Sequence, residues 1–149
     1  MYRAFFVAFP MHPSVFTIDV EEYFHILDVP STPPLSEWAA LPSRVEASFR
    51  SMLEVFAEKK VRTTLFFLAW VAERYPHLVK EAVAGGHEIA SHGYAHELVY
   101  KQDRATFLAD ITKAKDIIEQ AAGTAVRGYR APGFSVTKET PWFFDAVAE

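Results

Sequence analysis

Cysteine is absent from the 149-residue chain. Its absence excludes disulfides, thiolate nucleophiles and thiolate metal ligands, and it is compatible with a reducing compartment. No apolar run approaches the roughly 20 residues that a membrane-spanning helix needs. The run AFFVAF after Arg3 is shorter than a secretory signal core and lacks a small-x-small cleavage site, so a non-secretory, cytoplasmic chain is expected. Basic clusters are missing too. Fifteen Lys and Arg stand against 19 Asp and Glu, with no patch to track a phosphate backbone, so nucleic acid is not an expected partner. There is no internal repeat or low-complexity tract.

Half the residues are apolar and 15% are aromatic, which describes one globular domain with a sizeable core. SVFTIDV (14–20), TTLFFLA (63–69), HEIAS (87–91) and VRGYRAP (126–132) read as four strands, the last stopped by Pro132. Between the first two lies a segment with Pro30, Pro33, Pro34 and Pro42, too proline-rich for regular structure. A helix is then expected from Ser43, with Glu46 completing a capping box and Val45, Phe49, Met52, Leu53 and Phe56 at helical spacing. Pro76 opens a second helix that stops at Gly85, and Asp103 opens a long third one closed by Gly123. KETPWFFDAVAE begins a fourth. Strand and helix therefore alternate, which implies parallel strands covered by helices, in a doubly wound sheet or a β/α barrel. Four such units fall short of a closed barrel, so part of a longer domain is expected.

Parallel folds place their chemistry at the C-terminal ends of the strands. Three expected strand ends carry reactive groups: Asp19, Glu21 and Glu22 at the first, Ser91, His92 and His96 at the third, and Arg130 at the fourth. Two imidazoles and one carboxylate make a common open site for Zn²⁺ or a similar divalent ion, which lowers the pKa of bound water to about 7. A second carboxylate near the ion can take the proton. Extended backbone sends Asp19 and Glu21 to one side and Val20 to the other, with Glu22 facing away unless the strand has ended. His87 is expected to be a structural strand histidine, and His12, His25 and His77 to be solvated, with His25 near enough to line the cleft. Tyr23, Phe24, Tyr94 and Phe134 flank the site and are candidates for stacking on sugar rings, with buried packing the competing role.

In this order and spacing, FTIDVEEYF, GHEIASHGYAH and RGYRAPGFS resemble the first three motifs of the polysaccharide deacetylase (NodB homology) family, in the branch associated with bacterial exopolysaccharides. The resemblance covers residues 15–149 of a single domain taken as 1–149. It implies a partial, distorted (β/α) barrel of the deacetylase type and a metal-dependent hydrolase that removes N-acetyl groups from a polysaccharide or oligosaccharide. Zinc is the implied ion, with cobalt possible. By the same resemblance Asp19 is the catalytic base, Arg130 its partner, and His92 and His96 metal ligands. Pro132, Gly133 and Phe134 line the substrate, with a backbone N–H of Gly133 or Phe134 supporting an oxyanion, and Tyr94 beside them. Where the usual second aspartate of the first motif binds metal this chain has Val20, so Glu21 becomes the third ligand. The family's general acid is expected beyond residue 149. Two alternatives stand beside this reading: another amide C–N hydrolase, of the allantoinase or cyclic-imidase kind, and an inactive carbohydrate-binding fragment.

Overall fold

The computed structural model of the protein describes residues 14–27 and 29–149; the AFFVAF run and His12 lie outside them. Three short strands, β1 (Thr17–Val20), β2 (Thr64–Phe67) and β3 (Glu88–Ser91), form a parallel sheet in the order β1-β2-β3. Their register sets Asp19 beside Phe66 and Phe66 beside Ala90, and Val20 beside Phe67 and Phe67 beside Ser91. Because side chains alternate along a strand, these two rows lie on opposite faces. Val20, Leu65, Phe67 and Ile89 face the helices and are buried in the main core with Phe49, Val71, Val79 and Ile118. The row through Asp19 is only partly covered. The strands are thus buried chiefly on the face toward the helices.

The helices are α1 (Val45–Lys59), α2 (Ala69–Arg74), α3 (Pro76–Ala84), α4 (Arg104–Ala122) and α5 (Phe143–Ala148). Asp103 caps α4 by accepting the Thr106 N–H at 2.8 Å, and Pro76 opens α3, both as their sequence signals imply. A smaller apolar cluster joins α4 to the C-terminal helix through Val99, Phe107, Phe143 and Ala146.

Four expectations need correction. VRGYRAP does not form a full strand: Tyr129 makes an isolated parallel bridge to Ser91, with Ser91 N–H donating to Gly128 O and Arg130 N–H to Ser91 O. Pro132 has no N–H to extend that pairing. The strand expected at 63–69 ends at Phe67, and its last residues turn straight into α2, which periodicity alone did not separate from the strand. The proline-rich segment contains a 3-10 helix, Leu35–Ala40, that buries Trp38. The fourth concerns α1. It starts at Val45 behind Arg44, and its Glu46 makes no capping box. Its first amides point instead at Glu22, whose carboxylate accepts from Arg44 N–H at 3.0 Å, from Val45 N–H at 3.4 Å and from the Ser43 hydroxyl.

Glu22 is therefore neither turned to solvent nor a spare surface charge; it is 3% exposed and caps α1 from the segment after β1. Glu22→Ala leaves those donors without an acceptor and is expected to cost about 1–3 kcal/mol, read as a lower urea midpoint. A midpoint equal to that of the wild type would show that water replaces the carboxylate at no loss.

Candidate active site

The C-terminal ends of the strands are stitched together by main-chain bonds. Leu68 N–H donates to Val20 O at 3.1 Å, His92 N–H to Phe67 O at 2.8 Å and Ala69 N–H to Gly93 O at 2.8 Å. The segments after β1 and β3 are thereby brought over one point. Glu21, His92 and His96 each offer an atom there, and the three atoms lie within 4.8 Å of one another. The Nε2 atoms of His92 and His96 are 3.2 Å apart, and His96 Nε2 is 3.1 Å from Glu21 Oε2.

The protonation pattern follows from the contacts. His92 Nδ1 donates to the Arg130 carbonyl at 2.8 Å, which leaves its Nε2 as a lone pair facing the point. Both imidazoles are deeply buried, 2% and 8% exposed. Burial pushes His92 below the ordinary histidine range, and burial followed by the neighbouring His92 brings His96 down to about 4. Both rings are neutral at pH 7, as ligands must be. Glu21 moves the other way. Burial, then the charge of Asp19, raises it to about 7. Its Oε2 is buried and, among the described residues, has no hydrogen-bond partner. An orphaned carboxylate oxygen beside two converging imidazole nitrogens suits a divalent cation, and two histidines with one carboxylate are a donor set that zinc accepts. His96 also holds φ at 56°, a left-handed conformation uncommon outside glycine, so the backbone bends sharply to deliver this ring.

Asp19 lies at the rim. Its Oδ2 is 4.0 Å from His92 Nε2, while its Oδ1 accepts from Arg130 at 2.6 Å. Arg130 spans the open face of the sheet from the β3 side to β1. Its guanidinium lies 4.0 Å above the Phe66 ring and its second nitrogen donates to Thr17 Oγ1 at 2.6 Å. Both terminal nitrogens of the planar fork are engaged, one on the acid and the other on the hydroxyl two residues before it.

The remaining expected site residues divide. Pro132 is buried, whereas Phe134 is 95% exposed, which removes packing as its role. Gly133 sits between loops: a Cβ there would come within 2.7 Å of Leu98 and 2.8 Å of Leu27. Tyr94 turns toward α2 and α4. Its hydroxyl bonds Glu73 at 2.9 Å and its ring lies under the Lys113 ammonium at 3.2 Å, so that face is not free for a sugar. His87 is structural, accepting the Thr63 N–H, and His77 reaches Glu46 at the surface.

His25 departs most from expectation. It is 2% exposed rather than solvated, packed among Phe24, Trp38 and Trp70, with its ring 6.2 Å from that of His96. Burial, then His96 and His92, lowers it to about 3. Its Nδ1 accepts the Glu22 N–H at 3.1 Å, so the residue that caps α1 is also locked from behind. The YFH run of aromatics after the acids was the available signal for this burial.

The sequence profile named polysaccharide deacetylase matches residues 40–145, which takes in His92, His96 and Arg130 but not Asp19 or Glu21. A peptidoglycan-N-acetylglucosamine deacetylase of Bacillus cereus is 31% identical over 81 residues, 54% of this chain and 30% of that one. A chitooligosaccharide deacetylase of Sinorhizobium fredii is 34% identical over 82 residues, 54% of this chain and 38% of that one. The chain thus spans about a third of the length of these curated relatives. A solved Mycobacterium smegmatis structure assigned as a polysaccharide deacetylase superposes with a TM-score of 0.72 at 27% identity, covering 90% of this chain and 46% of the other.

The Arg130 fork is open to a direct test. Arg130→Lys keeps the charge but cannot reach Asp19 and Thr17 together. Loss of one charge-assisted bond is expected to cost about 1.5–3 kcal/mol in urea denaturation, and wild-type stability would show that the fork holds nothing.

Proposed function

The chain belongs to the polysaccharide deacetylase family, and from that premise we propose that it is a metal-dependent hydrolase removing N-acetyl groups from sugar residues of a bacterial polysaccharide, of the exopolysaccharide kind. The observation that carries the proposal is the convergence of Glu21, His92 and His96 on one point with the Asp19–Arg130 pair at its edge. The names of the two curated relatives, deacetylases of peptidoglycan and of chitooligosaccharide, support the substrate class.

Glu21, His92 and His96 would hold the ion, with zinc preferred and cobalt a workable substitute. When bound, it supplies Lewis acidity that makes water a nucleophile near neutral pH and polarises the acetamide carbonyl. The chain's own residues do the rest. Burial keeps both imidazoles neutral, and the His92 Nδ1 bond to the Arg130 carbonyl keeps the opposite nitrogen free to ligate. Asp19, fixed by Arg130, takes the proton of the attacking water. As the amide C–N bond breaks, the leaving nitrogen takes up one proton, balancing the one Asp19 received, and acetate and a free amine leave. By the family resemblance, a main-chain N–H at Gly133 or Phe134 supports the oxyanion. Phe134 offers an exposed apolar surface to a sugar ring.

Two measurements test this. By titration calorimetry the protein is expected to bind a single zinc or cobalt ion, and His92→Ala or His96→Ala to weaken binding beyond the roughly 10–100-fold typical of losing an outer-sphere partner. A chain that carries the family's general acid is expected to release acetate from an N-acetylated chitooligosaccharide, with the rate falling about 10²–10⁴-fold in Asp19→Asn. Oligosaccharide binding without acetate release would replace the hydrolase with a carbohydrate-binding role, and release insensitive to chelation would favour a different amide hydrolase.

A further inference from the structure

We infer that Asp110, on the second turn of α4, is a positioning residue that sets the spacing of His92 and His96. Its purpose rests on the metal reading above; its geometry does not. The two histidines are four apart but lie on no helix, so no regular backbone fixes the distance between their rings. Only Gly93, Tyr94 and Ala95 separate them, and the shape of that link decides where the nitrogens fall.

Asp110 holds the link by its middle. The Tyr94 N–H donates to Asp110 Oδ2 at 2.9 Å. A Cβ on residue 93 would stand 3.0 Å from that same oxygen, and Gly93 holds φ at 78°, where other residues are strained. The carboxylate thus fills a hollow that exists because residue 93 has no side chain. On its other side the link is tied to α2, through Gly93 O accepting the Ala69 N–H at 2.8 Å. The Tyr94 side chain repeats the pattern, reaching Glu73 on α2 and Lys113 on α4. The link is clamped between two helices: Asp110 accepts its middle amide, at Tyr94, while the Gly93 N–H donates to Ser91 Oγ at 3.2 Å. Downstream the chain enters the left-handed turn at His96, which an unclamped link would relax. Relaxation there moves one imidazole away from the other.

The test compares wild type, Asp110→Ala and Asp110→Asn by amide hydrogen exchange at Tyr94 in metal-free protein and by cobalt titration with visible spectroscopy. In Asp110→Ala, protection at Tyr94 is expected to be lost, the cobalt bands to change and affinity to fall about 10–100-fold. Asp110→Asn keeps an acceptor oxygen in place and should fall between the two. Unchanged Tyr94 exchange, or an unchanged cobalt spectrum despite a lower unfolding midpoint, overturns the inference. If the wild type binds no cobalt, the metal reading fails and the exchange measurement still judges Asp110. Should Asp110→Ala not fold, Asp110→Asn is read by the same two criteria.

Discussion

Register is the constraint on which the site depends. In a parallel sheet with Val20, Phe67 and Ser91 side by side, the residues that leave the strands do so at one height. Main-chain bonds from Leu68 to Val20 and from His92 to Phe67 then prevent the ends from fanning apart. A slip of one residue at β1 would turn Asp19 into the helix-facing core and Val20 onto the open face, since strand faces alternate. The apolar contacts of Val20 with the core therefore specify the direction of Asp19 as firmly as any contact Asp19 makes itself. Core packing and chemistry share one register.

Past the strand this logic no longer applies, and buried polar groups take over. Glu21 cannot be aimed by pleating alone, because β1 ends at Val20. Its place is held by its neighbour. Glu22 binds the head of α1 through its side chain and His25 through its amide, while His25 is wedged among Phe24, Trp38 and Trp70. The segment after β1 is thus immobilised by a helix cap and an aromatic cage. Buried groups of this kind cost free energy unless each finds its partner, and here the partners are what define the loop.

Much of this was legible from residue order, because local rules govern it. Alternation of strands and helices, the Asp103 and Pro76 signals, and the arrival of Asp19, His92 and His96 at the ends of β1 and β3 follow from short-range chemistry, whereas Arg130 follows an isolated bridge rather than the strand expected there. The family resemblance assigned Glu21 as third ligand, and the geometry brings it to the same point. What residue order did not disclose depends on contacts distant along the chain. Glu22 accepts from residues 21 and more positions away, and no local pattern marks a glutamate as the cap of a helix that far downstream. Ser43 and Glu46 imitate a capping box, yet the stronger acceptor wins the amides. His25 looked polar, and Tyr94 looked like a platform, because burial of a ring and occupation of its face are decided by other elements.

Gly133 carries one more consequence. Leu98, from the segment after β3, and Leu27, from the segment after β1, both close to within 2.8 Å of where its Cβ would be. Three separate excursions of the chain therefore meet at an atom that does not exist. A side chain at this position meets both a left-handed backbone, φ 60°, and a lack of clearance: a single methyl would act as a wedge and spread these segments from a point that touches neither imidazole.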